Sequence, residues 1–370
     1  MKILLFVIDC MRADYVQPDI CPFIYYLSQE YYHFPYAFTS APYTPASFGS
    51  MYTGMYPYAH GITKFLGKTL NKDLSTISEL VSKKGIETAS FIGAHPAGKA
   101  YGLHRGFNYF DDKIPNNKHA DITIQPHKFR RNCRIITDSF LEWEKGKNNY
   151  FASIHYFDLH SPYGKGQIPK IAYKNRLGSI DKCIHEILFT YRMKNAEVFI
   201  VADHGEGLGD KEATHRRTLY NQILRIPFIW KPSGMVEISD QKLISNIDIF
   251  PTILDSLGIK PKLEYKLHGK SLYEREGHNT VYSETNKTAN NRIRCIQSKE
   301  WKYVLNNESR EVPLNDCKEY SKGDRNQEIE DKLMADFKNE FGEIYDWEEK
   351  DEVTKEQEKI IEDLKGLGYL

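Results

Sequence analysis

The chain has 370 residues, of which 41% are hydrophobic and 27% are charged, so it can bury a large core. Its 50 basic residues balance its 50 acidic residues, which excludes a net charge that favours nucleic acid or an anionic membrane. The six cysteines, at positions 10, 21, 133, 183, 295 and 317, contain no CxxC pair. This pattern fits reduced thiols and predicts a cytoplasmic location.

The N-terminal run KILLFVID predicts a buried strand that ends at Asp9. It is too short for a signal peptide and has no small-residue cleavage site after it. No later segment reaches the ~18 uncharged apolar residues of a membrane helix. We therefore expect a chain without a membrane span.

Helix and strand patterns alternate after this first strand. The segment 40–62, SAPYTPASFGSMYTGMYPYAHGI, contains too many turn formers for a long helix and predicts a loop that runs into a short helix. The following patterns are a helix, turn and strand in STISELVSKKGIETASFIG, a strand in YFASIHYFDLHSPY, a helix in YKNRLGSIDKCIHEILFTYRMKN, a strand in AEVFIVADHGEGLGD, a strand in RIPFIWKP and a capped helix in ISNIDIFPTILDSLGI. The alternation predicts an α/β fold with a large, mostly parallel sheet sandwiched by helices.

The pattern changes near residue 280, and we predict two domains, a core over 1–280 and a small α+β subdomain over 281–370. TVYSET, RIRCIQSKEWKYVLN and EVPLND predict short antiparallel strands in the second domain. The charged segment DRNQEIEDKLMADFKNEFGEIYDWEEK predicts a solvated helix. KEQEKIIEDLKGLGYL predicts an amphipathic helix that docks its apolar side chains.

Three predicted strands end in acids or histidines: Asp9, then Asp158 with His160, then Asp203 with His204. In open α/β sheets, ligands bind beyond the carboxyl ends of the strands. Taken singly, each acid could also cap a helix or sit in a turn. Hard divalent cations prefer carboxylate oxygens, and an imidazole shifts the preference toward manganese or zinc. Asp9, Asp203 and His204 are therefore candidate metal ligands.

Several sequence blocks carry a family resemblance. LLFVIDCMRADY, YTPASFGSMYTGMYPYAHGI, LHSPY, VADHGEGLGD, HRRTLYNQILRIPFIW, ISNIDIFPTILDSLGI and LHGKSL resemble, in this order, the blocks of the sulfatase-like branch of the alkaline phosphatase superfamily. The resemblance spans nearly the whole chain. It implies an alkaline-phosphatase-like core, a divalent metal and a nucleophile at the start of a helix that attacks a sulfate or phosphate ester.

The chain departs from the family pattern at the nucleophile. Thr44 stands where sulfatases have the cysteine of CxPxR, and Phe48 stands where that motif has arginine, so formylglycine cannot form here. Thr44 instead resembles the direct nucleophile of the threonine-type members.

The predicted metal ligands also differ from the family pattern. Cys10 stands where sulfatases have a second acid, and Pro162 stands where two-metal relatives have a histidine. The resemblance therefore implies one divalent ion, held by Asp9, Thr44, Asp203 and His204. Manganese, calcium, magnesium and zinc all remain open.

The resemblance implies roles for further residues. His160 in LHSPY and His215 in ATHRRTLY match family histidines that bind the ester oxygens or protonate the leaving group. Lys99 and Arg105 are weaker candidates for anion contacts, with a solvated loop as the alternative reading. His155 is interpreted as a core group or as a support of the metal site. His60 either holds a turn or serves the site.

These features predict a sulfatase-like, metal-dependent hydrolase of sulfate or phosphate esters that forms a covalent Thr44 intermediate. Because Thr44 replaces the cysteine, we expect a preference for phosphate or phosphodiester substrates on a small molecule or a glycan, and no nucleic-acid partner. The alternative is a soluble transferase that moves a phospho-headgroup onto a glycan or a lipid-derived acceptor. The sequence leaves the oligomeric state open.

Overall fold

The protein is described by a computed structural model that covers residues 1–114, 130–161, 163, 169–190, 195–210, 213–288, 291–305 and 327–342. Its strands, in chain order, are β1 (Lys2–Ile8), β2 (Tyr32–His33), β3 (Tyr36–Phe38), β4 (Glu87–Phe91), β5 (Tyr109–Asp111), β6 (Tyr150–Tyr156), β7 (Glu197–Val201), β8 (Phe228–Lys231), β9 (Leu243–Ser245), β10 (Val281–Thr288), β11 (Asn291–Gln297) and β12 (Lys302–Leu305). Its α-helices are α1 (Pro22–Glu30), α2 (Thr44–Thr53), α3 (Pro57–His60), α4 (Ile77–Ser82), α5 (Cys133–Glu144), α6 (Pro169–His185), α7 (Asn221–Leu224), α8 (Ile249–Ser256) and α9 (Gln327–Phe341).

A seven-stranded sheet in the order β2-β8-β7-β1-β6-β4-β5 forms the centre of the fold. β1 lies in its interior and pairs in parallel with β6 and β7. Residues 3–8 of β1 are all buried, as expected for a central strand whose two faces are both covered. β8 is antiparallel to β7, and β2 is antiparallel to β8. The predicted α/β fold with a mostly parallel sheet is confirmed.

Local sequence signals explain where several helices begin and end. Thr76 caps α4 in a capping box with Glu79, and the side chain of Asn132 accepts a hydrogen bond from the N–H of Ile135 at the start of α5. α2 ends at Gly54, which has a φ of 67°, a left-handed conformation that favours glycine. The predicted strand KILLFVID and the predicted helix that follows the loop before Thr44 are both present.

Strands β10, β11 and β12 form the predicted small antiparallel sheet. β10 bonds directly to the core, because the N–H of Glu284 donates to the carbonyl of Ser40 at 3.0 Å and the N–H of Tyr282 donates to the Tyr56 hydroxyl at 3.2 Å. The division into two domains at residue 280 stays a prediction.

Helix α9 differs from the solvated helix that its charge predicts. Leu333, Phe337 and Phe341 are buried and pack with Tyr56 and Tyr282, because they share one face of the helix. The predicted strand EVPLND and the predicted helix KEQEKIIEDLKGLGYL lie outside the described residues. Among the helices of the described part of the chain, none is long and apolar enough to cross a membrane.

Candidate active site

The first residue of α2 carries the candidate nucleophile. Pro45 follows Thr44 in the first turn, where a missing N–H costs nothing, and all ten residues of the helix are buried. The Thr44 hydroxyl donates to Oδ2 of Asp9 at 3.0 Å, and its oxygen lies 3.5 Å from Nε2 of His204. The segment around Thr44 is therefore part of a buried centre and not a plain surface connection.

Asp9 and Asp203 follow β1 and β7, which are neighbours in the sheet. The Oδ1 atom of Asp203 accepts the N–H of His204 at 2.8 Å and the N–H of Cys10 at 3.2 Å. Cys10 has a φ of 62°, a conformation that few residues other than glycine adopt, and the tight turn directs its N–H to Asp203. The strained backbone at Cys10 therefore holds the Asp203 carboxylate in position.

The donor atoms of this cluster fit a divalent cation. Asp9, Asp203 and His204 each offer one ligand atom, and these atoms lie within 4.8 Å of one another. Oδ1 of Asp9 and Oδ2 of Asp203 are buried and have no hydrogen-bond partner among the described residues. Buried carboxylate oxygens are normally paired, so a cation between them would supply the missing partner.

The two carboxylates also differ in their pKa values. Burial raises the pKa of Asp203, and the nearby negative charge of Asp9 raises it further. Burial also opposes ionisation of Asp9, but His155 and the neighbouring imidazoles outweigh it and lower the pKa of Asp9. A divalent cation would remove this repulsion and allow both carboxylates to ionise.

Three imidazole rings lie beside the carboxylates. The ring of His204 stacks on the ring of His215 with centroids 4.3 Å apart, and the ring of His160 meets His215 edge-on at 4.9 Å. Burial, followed by the proximity of His215, lowers the pKa of His204 to about 4 and that of His160 to about 3. His160 and His204 are therefore neutral near pH 7.

Glu206 supports His215. Its Oε2 atom lies 3.1 Å from Nδ1 of His215, and both side chains are buried. Burial raises the pKa of Glu206, but His215 outweighs this effect and lowers it to about 2. The Nη1 atom of Arg12 lies 3.5 Å from the Glu206 carbonyl and also forms an ion pair with Asp210 at 2.5 Å, which fixes this loop.

Two residues join α2 to the end of β7. The hydroxyl of Ser47 donates to the carbonyl of Asp203 at 2.7 Å. Asn246 donates its Nδ2–H to the Ser47 hydroxyl at 2.9 Å. These bonds fix the distance between the helix that carries Thr44 and the strand end that carries Asp203.

The structure places the weaker candidates in other contacts. Lys99 forms an ion pair with Asp112 at 2.8 Å. Arg105 pairs with Glu79 at 3.1 Å and donates to the Leu74 carbonyl at 2.6 Å. None of these partners belongs to the cluster around Thr44, so anion contacts by Lys99 and Arg105 stay predictions.

His60 packs against α2. Its Nδ1 atom accepts the N–H of Ile62 at 3.2 Å, and its Nε2 atom lies 3.1 Å from both the Ser50 hydroxyl and the Ala46 carbonyl. A Cβ atom at Gly49 would lie 2.8 Å from the His60 ring, so only glycine permits this contact. These contacts explain His60 as a support for α2.

The sequence indicates His155 only as a core or supporting group, and no motif in it singles out Glu206. His155 is buried, and its Nε2 atom lies 3.4 Å from Oδ2 of Asp9. Glu206 follows His204 by two residues beyond the same strand end, and this position was the available signal. Its contact with His215 depends on a loop whose path the sequence does not reveal.

The family model described as Sulfatase matches residues 3–259 of the chain. The chain belongs to the sulfatase family. The central sheet, apart from its first residue Lys2, and the cluster around Thr44 lie within the matched region, whereas β10–β12 and α9 lie beyond it.

Curated relatives of this sulfatase-family chain match over shorter stretches. An ulvan-active sulfatase of Formosa agariphila is 28% identical over 143 residues, which is 36% of this chain and 23% of the relative. A 2,3-bisphosphoglycerate-independent phosphoglycerate mutase of Clostridium kluyveri is 33% identical over 162 residues, which is 43% of this chain and 30% of the relative. The matches thus span less than a third of each of these relatives.

A solved structure agrees over most of the chain. The phosphonate monoester hydrolase of Silicibacter pomeroyi superposes with a TM-score of 0.74 at 15% identity, covering 92% of this chain and 96% of that chain. At this identity the agreement establishes the fold alone.

Proposed function

We propose that this chain is a metal-dependent hydrolase of sulfate or phosphate esters that acts through a covalent ester on Thr44. The observation that carries the proposal is the position of the Thr44 hydroxyl. It lies at the start of a buried helix, 3.0 Å from Asp9 and 3.5 Å from His204. A helix start also directs backbone N–H groups toward an anion, and this suits the charged oxygens of such an ester.

Asp9, Asp203, His204 and Thr44 would hold one divalent cation, since the two carboxylates contribute the unpaired oxygens and His204 contributes a neutral imidazole. Such an ion supplies Lewis acidity that lowers the pKa of a bound hydroxyl and masks the charge of the ester. The chain's own residues aim the Thr44 oxygen and exclude bulk water, because Thr44, Asp9 and Asp203 are all buried.

His215 is the proposed acid. Glu206 is ionised at neutral pH and its Oε2 atom lies 3.1 Å from Nδ1 of His215, so in this mechanism it orients the ring and leaves Nε2 for the departing oxygen. His160 is neutral, and its Nδ1 lies 2.5 Å from the carbonyl of Ser161. A ring nitrogen this close to a carbonyl carries the hydrogen, so in this mechanism Nε2 of His160 is the nitrogen that accepts a proton from the water that cleaves the Thr44 ester.

The side chains of Thr44 and Phe48 favour phosphate esters over sulfate esters as substrates. Thr44 cannot become formylglycine, and Phe48 is buried with its ring centroid 5.0 Å from His155. Phe48 thus packs against His155, which contacts Asp9. It supplies no positive charge that could bind a sulfate group. The relative from Clostridium kluyveri is, by its name, a phosphoglycerate mutase, and phosphoglycerate is a phosphate ester.

A substrate screen tests the proposal. Purified protein loaded separately with manganese, magnesium, calcium or zinc would be assayed on 4-nitrophenyl sulfate, 4-nitrophenyl phosphate and bis(4-nitrophenyl) phosphate. We expect turnover with at least one metal and the highest kcat/KM on a phosphate ester. Higher kcat/KM on the sulfate would overturn the phosphate preference, and no turnover of any ester would overturn the hydrolase proposal.

A further inference from the structure

The thiol of Cys10 lies beside the imidazoles of the candidate active site. Its Sγ atom is 3.7 Å from Nδ1 of His215. Cys10, His204 and His215 are all buried, each offers one ligand atom, and these three atoms lie within 4.8 Å of one another. We call this group the thiol position, and we call the group formed by Asp9, Asp203 and His204 the carboxylate position. The two positions share His204.

The spacing of the donors in the thiol position suits a tetrahedral ion. Bonds of about 2.3 Å to a thiolate and about 2.0 Å to an imidazole place the two donor atoms about 3.6 Å apart in a tetrahedral zinc site. The 3.7 Å between the Cys10 sulfur and Nδ1 of His215 is close to this value. The ring of His204 stacks on the ring of His215 with centroids 4.3 Å apart, which brings the second imidazole to the same location.

The two positions differ in the ions that they favour. One thiolate and two imidazoles are the ligands that zinc and cobalt(II) accept, whereas a pair of carboxylates suits magnesium, calcium or manganese. Burial raises the pKa of the Cys10 thiol, and the charges of Asp9, Glu206 and Asp203 raise it further. The thiol therefore keeps its proton until an ion replaces it, and binding releases that proton to the solvent.

We propose that Cys10, His204 and His215 form a second cation position, which takes a thiophilic ion such as zinc. Because His204 serves both positions, an ion in the thiol position excludes an ion from the carboxylate position. The chain thus binds either a hard ion or a thiophilic ion at this edge of the sheet.

Occupation of the thiol position would inhibit the proposed hydrolase, and this consequence rests on the proposed function. Nδ1 of His215 lies 3.1 Å from Oε2 of Glu206 as well as 3.7 Å from the Cys10 sulfur. An ion on that nitrogen would separate the proposed acid from the carboxylate that orients it. It would also remove His204 from the ion that activates Thr44.

A titration of the metal-free protein with cobalt(II) tests the thiol position without requiring turnover. A bond between cobalt(II) and a thiolate adds a charge-transfer absorption in the near-ultraviolet, which carboxylate and imidazole ligands do not give. The wild-type protein should develop this band. Cys10→Ser should abolish it, because the thiolate is lost, and His215→Ala should weaken it, because one imidazole of the set is lost.

Two further variants serve as controls for the cobalt titration. Cys21→Ser removes another buried thiol, which donates to the Tyr15 carbonyl at 3.4 Å, and it should keep the full band. Asp203→Asn removes a ligand of the carboxylate position alone. It should weaken manganese binding and keep the cobalt band.

Zinc added to the manganese-loaded protein tests whether the two positions exclude each other. Each zinc ion that binds should release one manganese ion, which electron paramagnetic resonance detects as free manganese. Elemental analysis should then find a total of one ion per chain. Two bound ions per chain, one of each metal, would overturn the shared use of His204.

The outcomes separate this inference from the proposed function. A wild-type protein without the band, a band that survives Cys10→Ser, or a band that Asp203→Asn removes would each overturn the thiol position. If esters are still hydrolysed in those cases, the hydrolase proposal stands. A band that depends on Cys10 and not on Asp203 supports the thiol position even if the protein cleaves no ester, and the hydrolase proposal alone then fails.

Discussion

The Oε2 atom of Glu206 lies 3.1 Å from Nδ1 of His215, and both side chains are buried beside the ring of His204. In the proposed mechanism Glu206 orients the acid, because its contact with Nδ1 leaves Nε2 of His215 for the ester.

Glu206→Gln should slow esters of poor leaving groups, such as alkyl phosphates, about 10- to 100-fold, as is typical when a supporting residue of a site is lost. Nitrophenyl esters need less protonation of the departing oxygen, so they should lose much less rate. The measurement is the ratio of kcat/KM for the two ester types in the variant and in the wild type. An equal loss on both types would assign Glu206 to binding or folding.

Loss of a proposed metal ligand should separate metal binding from folding. Asp9→Asn, Asp203→Asn and His204→Ala should each reduce the bound metal well below one ion per chain, as measured by elemental analysis. Metal-free Asp203→Asn should melt no lower than the metal-free wild type, because it removes a buried charge that repels Asp9. Wild-type metal content in all three variants would refute the single-ion site.

The docking of α9 should depend on pH through His278. This buried ring lies 2.7 Å from Asp248 and 2.6 Å from Glu340 on α9. Burial lowers its pKa, but the two carboxylates outweigh that effect and raise it to about 9. Because the folded pKa exceeds the unfolded one, the stabilisation is complete below about pH 6.5 and is lost as the pH rises through 9.

His278→Gln should therefore flatten the decline in the free energy of unfolding between pH 7 and 10, which we expect to be about 3 kcal/mol in the wild type. Denaturant titrations at each pH measure it, and hydrogen exchange reports whether α9 opens first. The control is His268→Gln, a buried histidine whose pKa burial lowers to about 4 and which is already neutral over this range. If the free energy of unfolding falls as steeply with pH in His278→Gln as in the wild type, His278 is not the group responsible for the decline.

Substitution of the buried Glu197 should stabilise the protein above neutral pH. Its Oε1 atom accepts the Nε1–H of Trp230 at 2.7 Å, and burial raises its pKa to about 7. The protonated form is therefore favoured in the folded state, and this contribution is lost as the pH rises from about 4.5 through 7. Glu197→Gln keeps an acceptor for Trp230 and should raise the melting temperature at pH 8 but not at pH 5. A variant less stable than wild type at pH 8 would show that the carboxylate has a stabilising partner.

The sequence predicts the fold and the members of the cluster for clear physical reasons. The apolar run before Asp9 and the turn formers before Thr44 are local signals, and the carboxyl ends of neighbouring parallel strands meet at one edge. The direction of β8 depends on pairing and not on its own residues, so the sequence leaves it open. The same holds for the buried face of α9, since its contacts are made by distant parts of the chain.

The nucleophile assignment makes the most specific prediction. If Thr44 attacks, acid quenching during turnover of a phosphate diester should leave a phosphoryl group on the peptide that contains residues 40–62, since covalent catalysis splits one displacement into two steps. Thr44→Ala should abolish the adduct and nearly all turnover, whereas Thr44→Ser should keep part of both because the hydroxyl remains. Thr53→Ala is the matched control, since Thr53 lies at the other end of α2 and donates to the Gly49 carbonyl at 2.7 Å.

In the competing mechanism water attacks directly, so Thr44→Ala would keep substantial turnover, no adduct would form, and a chiral phosphate product would emerge inverted. Retention supports two displacements through Thr44, and inversion would refute its role as the nucleophile.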